Sequence, residues 1–311
     1  MIEIRNLTKV YGRTTAVDDL TVTVRPGLVT GFLGPNGAGK STTMRAIVGL
    51  DRPTSGEALV GGHRYADHPA PLREVGALLD AKAAHPGRSA LAHLRALAVT
   101  NGIGRARVDE VVDMVGLHEV ADRRVGGFSL GMAQRLGIAA ALLGDPAVVL
   151  LDEPVNGLDP DGIRWIRDLL RGLAAEGRTV FVSSHLMSEM ALTADHLVIL
   201  GRGRLIADVS MEEMTASSSG QVRVRSTRAD DLARLLAADG AGVTRPEPDL
   251  LAVTGRTSTE IAEAAMAARI LLTELIPVHA SLEDAYLAMT QHDVQYRATR
   301  PATTDPRRAA A

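Results

Sequence analysis

The feature that most limits what this chain can fold into is a short apolar run, Val29–Leu33, that stops at the octet GPNGAGKS (34–41). The octet matches G-x-x-x-x-G-K-[ST] in full, and a helix-like stretch runs from Lys40 to Leu50. Glycines let consecutive backbone N–H groups curl around phosphate oxygens. The helix that follows turns its positive end toward the same anion. The pattern makes Gly34, Pro35, Asn36, Gly37, Ala38, Gly39, Lys40, Ser41 and Thr42 candidate ligands of a nucleoside triphosphate. Lys40 is expected on the β- and γ-phosphates, and the Ser41 hydroxyl on Mg2+.

A second run, VVLLDE (148–153), ends in two acids. Near-continuous Val and Leu marks a strand buried on both faces. Asp152, at its carboxyl end, is placed to hold Mg2+ directly or through water. Glu153 can accept a proton from an attacking water.

The rest of the chain sets these two pieces in an α/β frame. Residues 1 to about 30 alternate apolar and polar, with turns at Gly12 and Pro26-Gly27. Ser89 to Gly144 reads mostly as helix, then strand 147–151, a helix near Asp161 to Glu176, and strand TVFVSS (179–184). Strands alternating with helices imply a largely parallel sheet. TASSSG (215–220) has linker composition. Beyond it, QVRVRS, DLLAVT and ILLTELIPV read as strands, and ADDLARLLAADG, STEIAEAAMAA and SLEDAYLAMT as helices. The expected division is a nucleotide-binding domain over 1–214, with a helical part at about 80–144, the linker, a small α/β domain over 221–292, and a disordered tail over 293–311.

Composition removes other classes. A formal net charge of -3 gives no basic field for nucleic acid. The absence of cysteine removes disulfides and thiolate metal sites. No apolar run approaches the roughly 18 residues that span a bilayer. The N-terminus, MIEIRNLTKV, lacks the apolar core of a signal peptide. The chain is therefore expected in the cytoplasm, reaching a membrane only through a partner.

Together these motifs resemble the nucleotide-binding subunits of ABC transporters, over residues 1 to about 210. The resemblance implies a P-loop NTPase domain with an antiparallel N-terminal β subdomain and a helical subdomain, binding ATP and Mg2+. Tyr11, in KVYG, is similar to the aromatic residue that stacks on adenine. FSLGMAQR (128–135) resembles the signature, usually LSGGQ followed by Q-R. Ser129 and Gly131 match, whereas Leu130 and Met132 replace a glycine and the glutamine. Ser129 would cap a helix whose free N–H groups form an anion site. NGLD (156–159) resembles the loop that couples two subunits, with Asp159 its key residue, and His185 resembles the switch histidine that contacts the γ-phosphate and orients Glu153. Asp80, ending VGALLD, stands where the family usually has a Mg2+-binding glutamine, so a water-bridged contact is expected. SLGM, EPVNGLDP (153–160), Asp80 and the appended domain resemble the bacitracin- and daunorubicin-type exporter ATPases.

The resemblance implies a head-to-tail homodimer in which Ser129 and Gly131 of one copy close over nucleotide held by the other. Glu153, Lys40 and His185 are the expected catalytic groups. A separate transmembrane permease is the implied partner, docking near His85 to Arg95, with the protein on the inner face of the membrane. Two other readings stay open: a soluble ABC-type ATPase acting on nucleic acid or ribosomes, and a non-hydrolysing regulator. One phosphate loop and no sustained heptads between Lys40 and Asp152 weigh against the first. Lys40, Glu153 and His185 together weigh against the second.

Overall fold

Three apolar runs, VTGFL, VVLL and TVFVSS, are buried at every residue, as strands covered on both faces must be. In the computed structural model, which describes residues 1–217 and 221–278, they are β3 (Val29–Leu33), β6 (Val148–Leu151) and β7 (Thr179–Ser184). With β5 (Val75–Leu78), β8 (His196–Gly201) and β9 (Arg204–Ser210) they form a six-stranded sheet in the order β5-β6-β7-β3-β8-β9. Every neighbouring pair is parallel except β8 and β9.

Alternation along the strands divides the core in two. Val149 and Leu151 face one cluster, with Leu136, Ile138, Ile166 and Leu170. Val148 and Leu150 face the other, where the Phe32 and Phe181 rings meet at 4.8 Å. That second cluster is closed by an antiparallel sheet, β2-β1-β4, of β1 (Ile2–Tyr11), β2 (Thr14–Val24) and β4 (Ser55–Val60). Its Ile2, Ile4, Val22 and Val24 are buried with Met44 of α1 (Lys40–Ile47).

A short α2 (Pro71–Glu74) leads into β5, and three helices follow before β6: α3 (Ala90–Thr100), α4 (Arg105–Met114) and α5 (Leu130–Leu142). Helix α5 lies directly on β5: a Cβ on Gly76 would stand 1.9 Å from the main-chain oxygen of Ala141. Only glycine permits that approach. Helices α6 (Pro160–Ala175) and α7 (Met187–Ala191) flank β7 in sequence.

Helix α8 (Met211–Ser217) carries three residues into the TASSSG run. A four-stranded antiparallel sheet follows, in the order β11-β12-β10-β13. Its strands are β10 (Gln221–Arg225), β11 (Gly242–Glu247), β12 (Leu250–Thr254) and β13 (Glu274–Val278). Helices α9 (Ala229–Ala238) and α10 (Ser258–Ala267) pack on it through Leu232, Leu236 and Ile261. Strand β11 was not foreseen, because GVTRPE is polar and holds a proline. Among the described residues β11 pairs only with β12, and as an edge strand it tolerates both. The expected helix SLEDAYLAMT and the expected disordered tail lie outside the described residues. Among the described residues no helix is long and apolar enough to cross a membrane.

Candidate nucleotide site

Strand β3 delivers the glycine turn at the carboxyl end of the parallel sheet, between β7 and β8. The turn has no room for side chains at two points. A Cβ on Gly34 would stand 2.7 Å from the Leu200 oxygen, and one on Gly39 2.5 Å from the Ala16 oxygen. Gly39 also has φ 103°, a left-handed conformation that glycine adopts without strain. Helix α1 starts there with no side-chain cap, which leaves the N–H groups of its first turn for an anion. Lys40 is 6% exposed, and its Nζ donates to the Gly34 oxygen at 2.6 Å. Burial pulls its ammonium below the ordinary lysine value, opposed by Glu153 and Asp152. The turn, Ser41, Thr42, Tyr11, Ala16 and Glu153 line a groove of about 430 Å³.

The two acids follow β6, which β7 separates from β3. The Asp152 N–H donates to the Leu78 oxygen at 2.7 Å, which ties the strand end to β5. The Ser183 hydroxyl donates to Asp152 Oδ1 and accepts from the Glu153 N–H at 2.9 Å, so one side chain fixes both acids. Glu153 has φ 50°, strained for a residue with a Cβ. Its main-chain oxygen accepts from Gln134 Nε2 at 3.1 Å. Its carboxylate meets His185 Nδ1 at 2.7 Å and Lys40 Nζ at 3.9 Å. A carboxylate only accepts, so Nδ1 of the imidazole is the donor in this contact.

Tyr11 ends β1 at the rim of the groove, 44% exposed, where a base can stack. Its hydroxyl donates to Asp51 Oδ2 at 2.7 Å, and Arg45 Nε donates to the same oxygen at 2.7 Å. Burial, then the Asp51 bond, holds the Tyr11 hydroxyl above its ordinary value.

The signature residues sit apart from this groove, none of them among its lining residues. Ser129 caps α5, its hydroxyl accepting from the Met132 N–H at 3.2 Å. Leu130 is 46% exposed. Gly131 lies against the next loop: a Cβ there would stand 2.7 Å from the Gly157 oxygen. Asp159 caps α6 by accepting from the Gly162 N–H at 2.9 Å. Asp80 lies just past the end of β5, exposed, and accepts from the Lys82 N–H at 2.8 Å, so its carboxylate serves its own turn. It does not line the groove.

Mg2+ fits the oxygen donors present at the site. The Ser41 hydroxyl and the Asp152 carboxylate are hard oxygens, and Mg2+ takes few protein ligands, keeping waters and phosphate oxygens. The described residues hold no cluster of three or more His, Cys, Asp or Glu able to bind a metal by itself. Three parts of the site are not marked by the sequence pattern: Ser183, Gln134 and Asp51 each act through a contact distant along the chain.

Buried lysine, uncapped helix start and an acid pair at the carboxyl end of β6 in the same sheet define a P-loop ATPase. The family model for the ABC transporter matches residues 17–156. A second model, a domain of unknown function (DUF8746), matches 220–283. The bacitracin transport ATP-binding protein BcrA of Bacillus licheniformis is 41% identical over 217 residues, 69% of this chain and 71% of that protein. The daunorubicin/doxorubicin resistance ATP-binding protein DrrA of Streptomyces peucetius is 33% identical over 323 residues, 98% of this chain and 96% of that protein. A dimeric structure of a bacterial ABC transporter cassette superposes with TM-score 0.63 and 26% identity, over 68% of this chain and 99% of that one. The chain belongs to the ATP-binding proteins of ABC transporters.

Proposed function

We propose that this chain is the motor of an exporter for an antibiotic-like or drug-like compound. It works as a head-to-tail pair on the cytoplasmic face of a separate membrane permease. The observation that carries the reading is the convergence on Glu153: His185 Nδ1 at 2.7 Å, Lys40 Nζ at 3.9 Å, and a backbone held from both sides. This is a poised base beside a phosphate cradle, which a non-hydrolysing regulator does not need.

Lys40, freed from the Gly34 oxygen, would bind the β- and γ-phosphates. His185 keeps the Glu153 carboxylate turned toward the groove, and Glu153 accepts the proton of the attacking water. Mg2+, held by Ser41 and Asp152, would neutralise charge developing on the phosphate oxygens. Ser129 and the first turn of α5, exposed away from their own groove, would cover the nucleotide of the second copy. Asp159 would stand near the junction of the two copies.

A route to the permease is supported by the backbone. The loop after Asp80 is joined to the segment before Ser129 by bonds from Val125 N to the Arg88 oxygen and from Gly126 N to the Pro86 oxygen, each 2.9 Å. Movement of the signature turn would thus reach the surface around His85 to Arg95. The similarity to BcrA and DrrA is what favours antibiotic or drug as cargo.

Glu153→Gln tests the motor reading. It is expected to bind ATP, stop turnover and accumulate as an ATP-bound dimer on gel filtration. A variant that still hydrolyses ATP rapidly removes Glu153 as the base. Purification of the native membrane complex, followed by transport assays on the recovered permease, tests the cargo class.

A further inference from the structure

The signature turn of α5 and the turn before α6 are fitted to one another. A Cβ on Gly157 would stand 2.5 Å from both Cγ and Cδ2 of Leu130, and 2.9 Å from its Cβ. Leu130 therefore fills the volume that any side chain at 157 would need. It is half-exposed, so core burial does not explain a leucine here. The adjacent Gly131 touches the same residue's backbone. The loop from Glu153 to Asp159 is thus held by α5 at two points. Gln134 grips the main chain of Glu153, and Leu130 sits over Gly157. The usual signature has glycine where Leu130 stands, and glycine cannot make this contact.

We propose that Leu130 is a positioning residue: seated over Gly157, it sets the loop that carries Glu153 at one end and Asp159 at the other. A shift of the signature turn, produced by nucleotide on the second copy, then moves the loop of its own copy. The proposal rests on the ATPase reading above. It makes Leu130 and Gly157 a size-matched pair, so a defect at one is relieved by a change at the other.

The test is steady-state ATP turnover by the full chain with Leu130→Gly, Gly157→Ala and the two combined. Each single change is expected to lower kcat about tenfold while KM for ATP stays within about twofold, because neither residue lines the nucleotide groove of its own copy. Alanine at 157 also carries backbone strain at φ 77°, which Leu130 does not affect. The combined variant is therefore expected to recover part of the loss and to exceed Gly157→Ala alone. A combined variant no faster than Gly157→Ala overturns the proposal, as does a change confined to KM. Should Gly157→Ala fail to fold by circular dichroism, Leu130→Ala decides: reduced kcat with unchanged KM supports the pair, and unchanged kcat refutes it. A wild-type chain without ATPase activity would remove the motor reading itself. Active wild type with independent losses removes only the pairing.

Discussion

Gln134 of the signature helix donates its side-chain amide to the main-chain oxygen of Glu153 at 3.1 Å. Gln134 is 3% exposed, and the residue it holds has φ 50°. Ser183 secures the same residue from its N–H. The strained backbone of the base is thus pinned on both sides, one pin coming from the helix that would contact the other copy's nucleotide.

Removing that pin is the first prediction. Gln134→Ala leaves a part-buried carbonyl without its partner, which costs about 1–3 kcal/mol of stability. With Glu153 freer to leave its strained conformation, kcat should fall on the order of tenfold with little change in KM. Chemical denaturation and ATPase kinetics check the two parts. Unchanged kcat would show that Ser183 alone suffices.

Tyr11 offers a ring and a hydroxyl, and the two are separable. Tyr11→Ala should weaken ATP binding by about 1–3 kcal/mol, the usual range for stacking a base on an aromatic ring. Tyr11→Phe keeps the ring and loses the hydroxyl bond to Asp51, so a smaller loss of ATP binding than for Tyr11→Ala is expected. Titration with a fluorescent ATP analogue distinguishes them. Equal losses would place the contribution in the hydroxyl.

Lys40 makes the stability of the nucleotide-free protein depend on alkaline pH. Burial lowers its value in the folded state. Between that lowered value and the unfolded lysine value of about 10.4, the unfolded chain binds more protons than the native one. Stability should therefore rise with pH through that window from this group, and Lys40→Met should remove the rise. Thermal unfolding of both proteins across alkaline pH is the check; identical slopes would contradict it.

The phosphate turn, the acid pair and His185 were legible in the sequence, because each couples a local residue pattern to a strand end. Strands β3, β6 and β7 were legible for the same reason: full burial leaves no polar position in the run. Strand β11 was hidden, since an edge strand with one neighbour carries no alternation. The fit of Leu130 to Gly157 was hidden too: the substitution could be seen, but not the absent side chain it matches. Asp80 shows a local contact that the pattern does not encode: one of its carboxylate oxygens accepts from the Lys82 N–H.

The approach of Ala141 to Gly76 has a mechanical meaning. Main chain rests on main chain at this point, while further along α5 meets β5 through the Leu78 side chain against Gly137. A tilt imposed on the signature end of that helix cannot be absorbed at this bearing. It must drag the sheet edge along or be taken up where the loops flex, which turns the helical arm from a cushion into a crank.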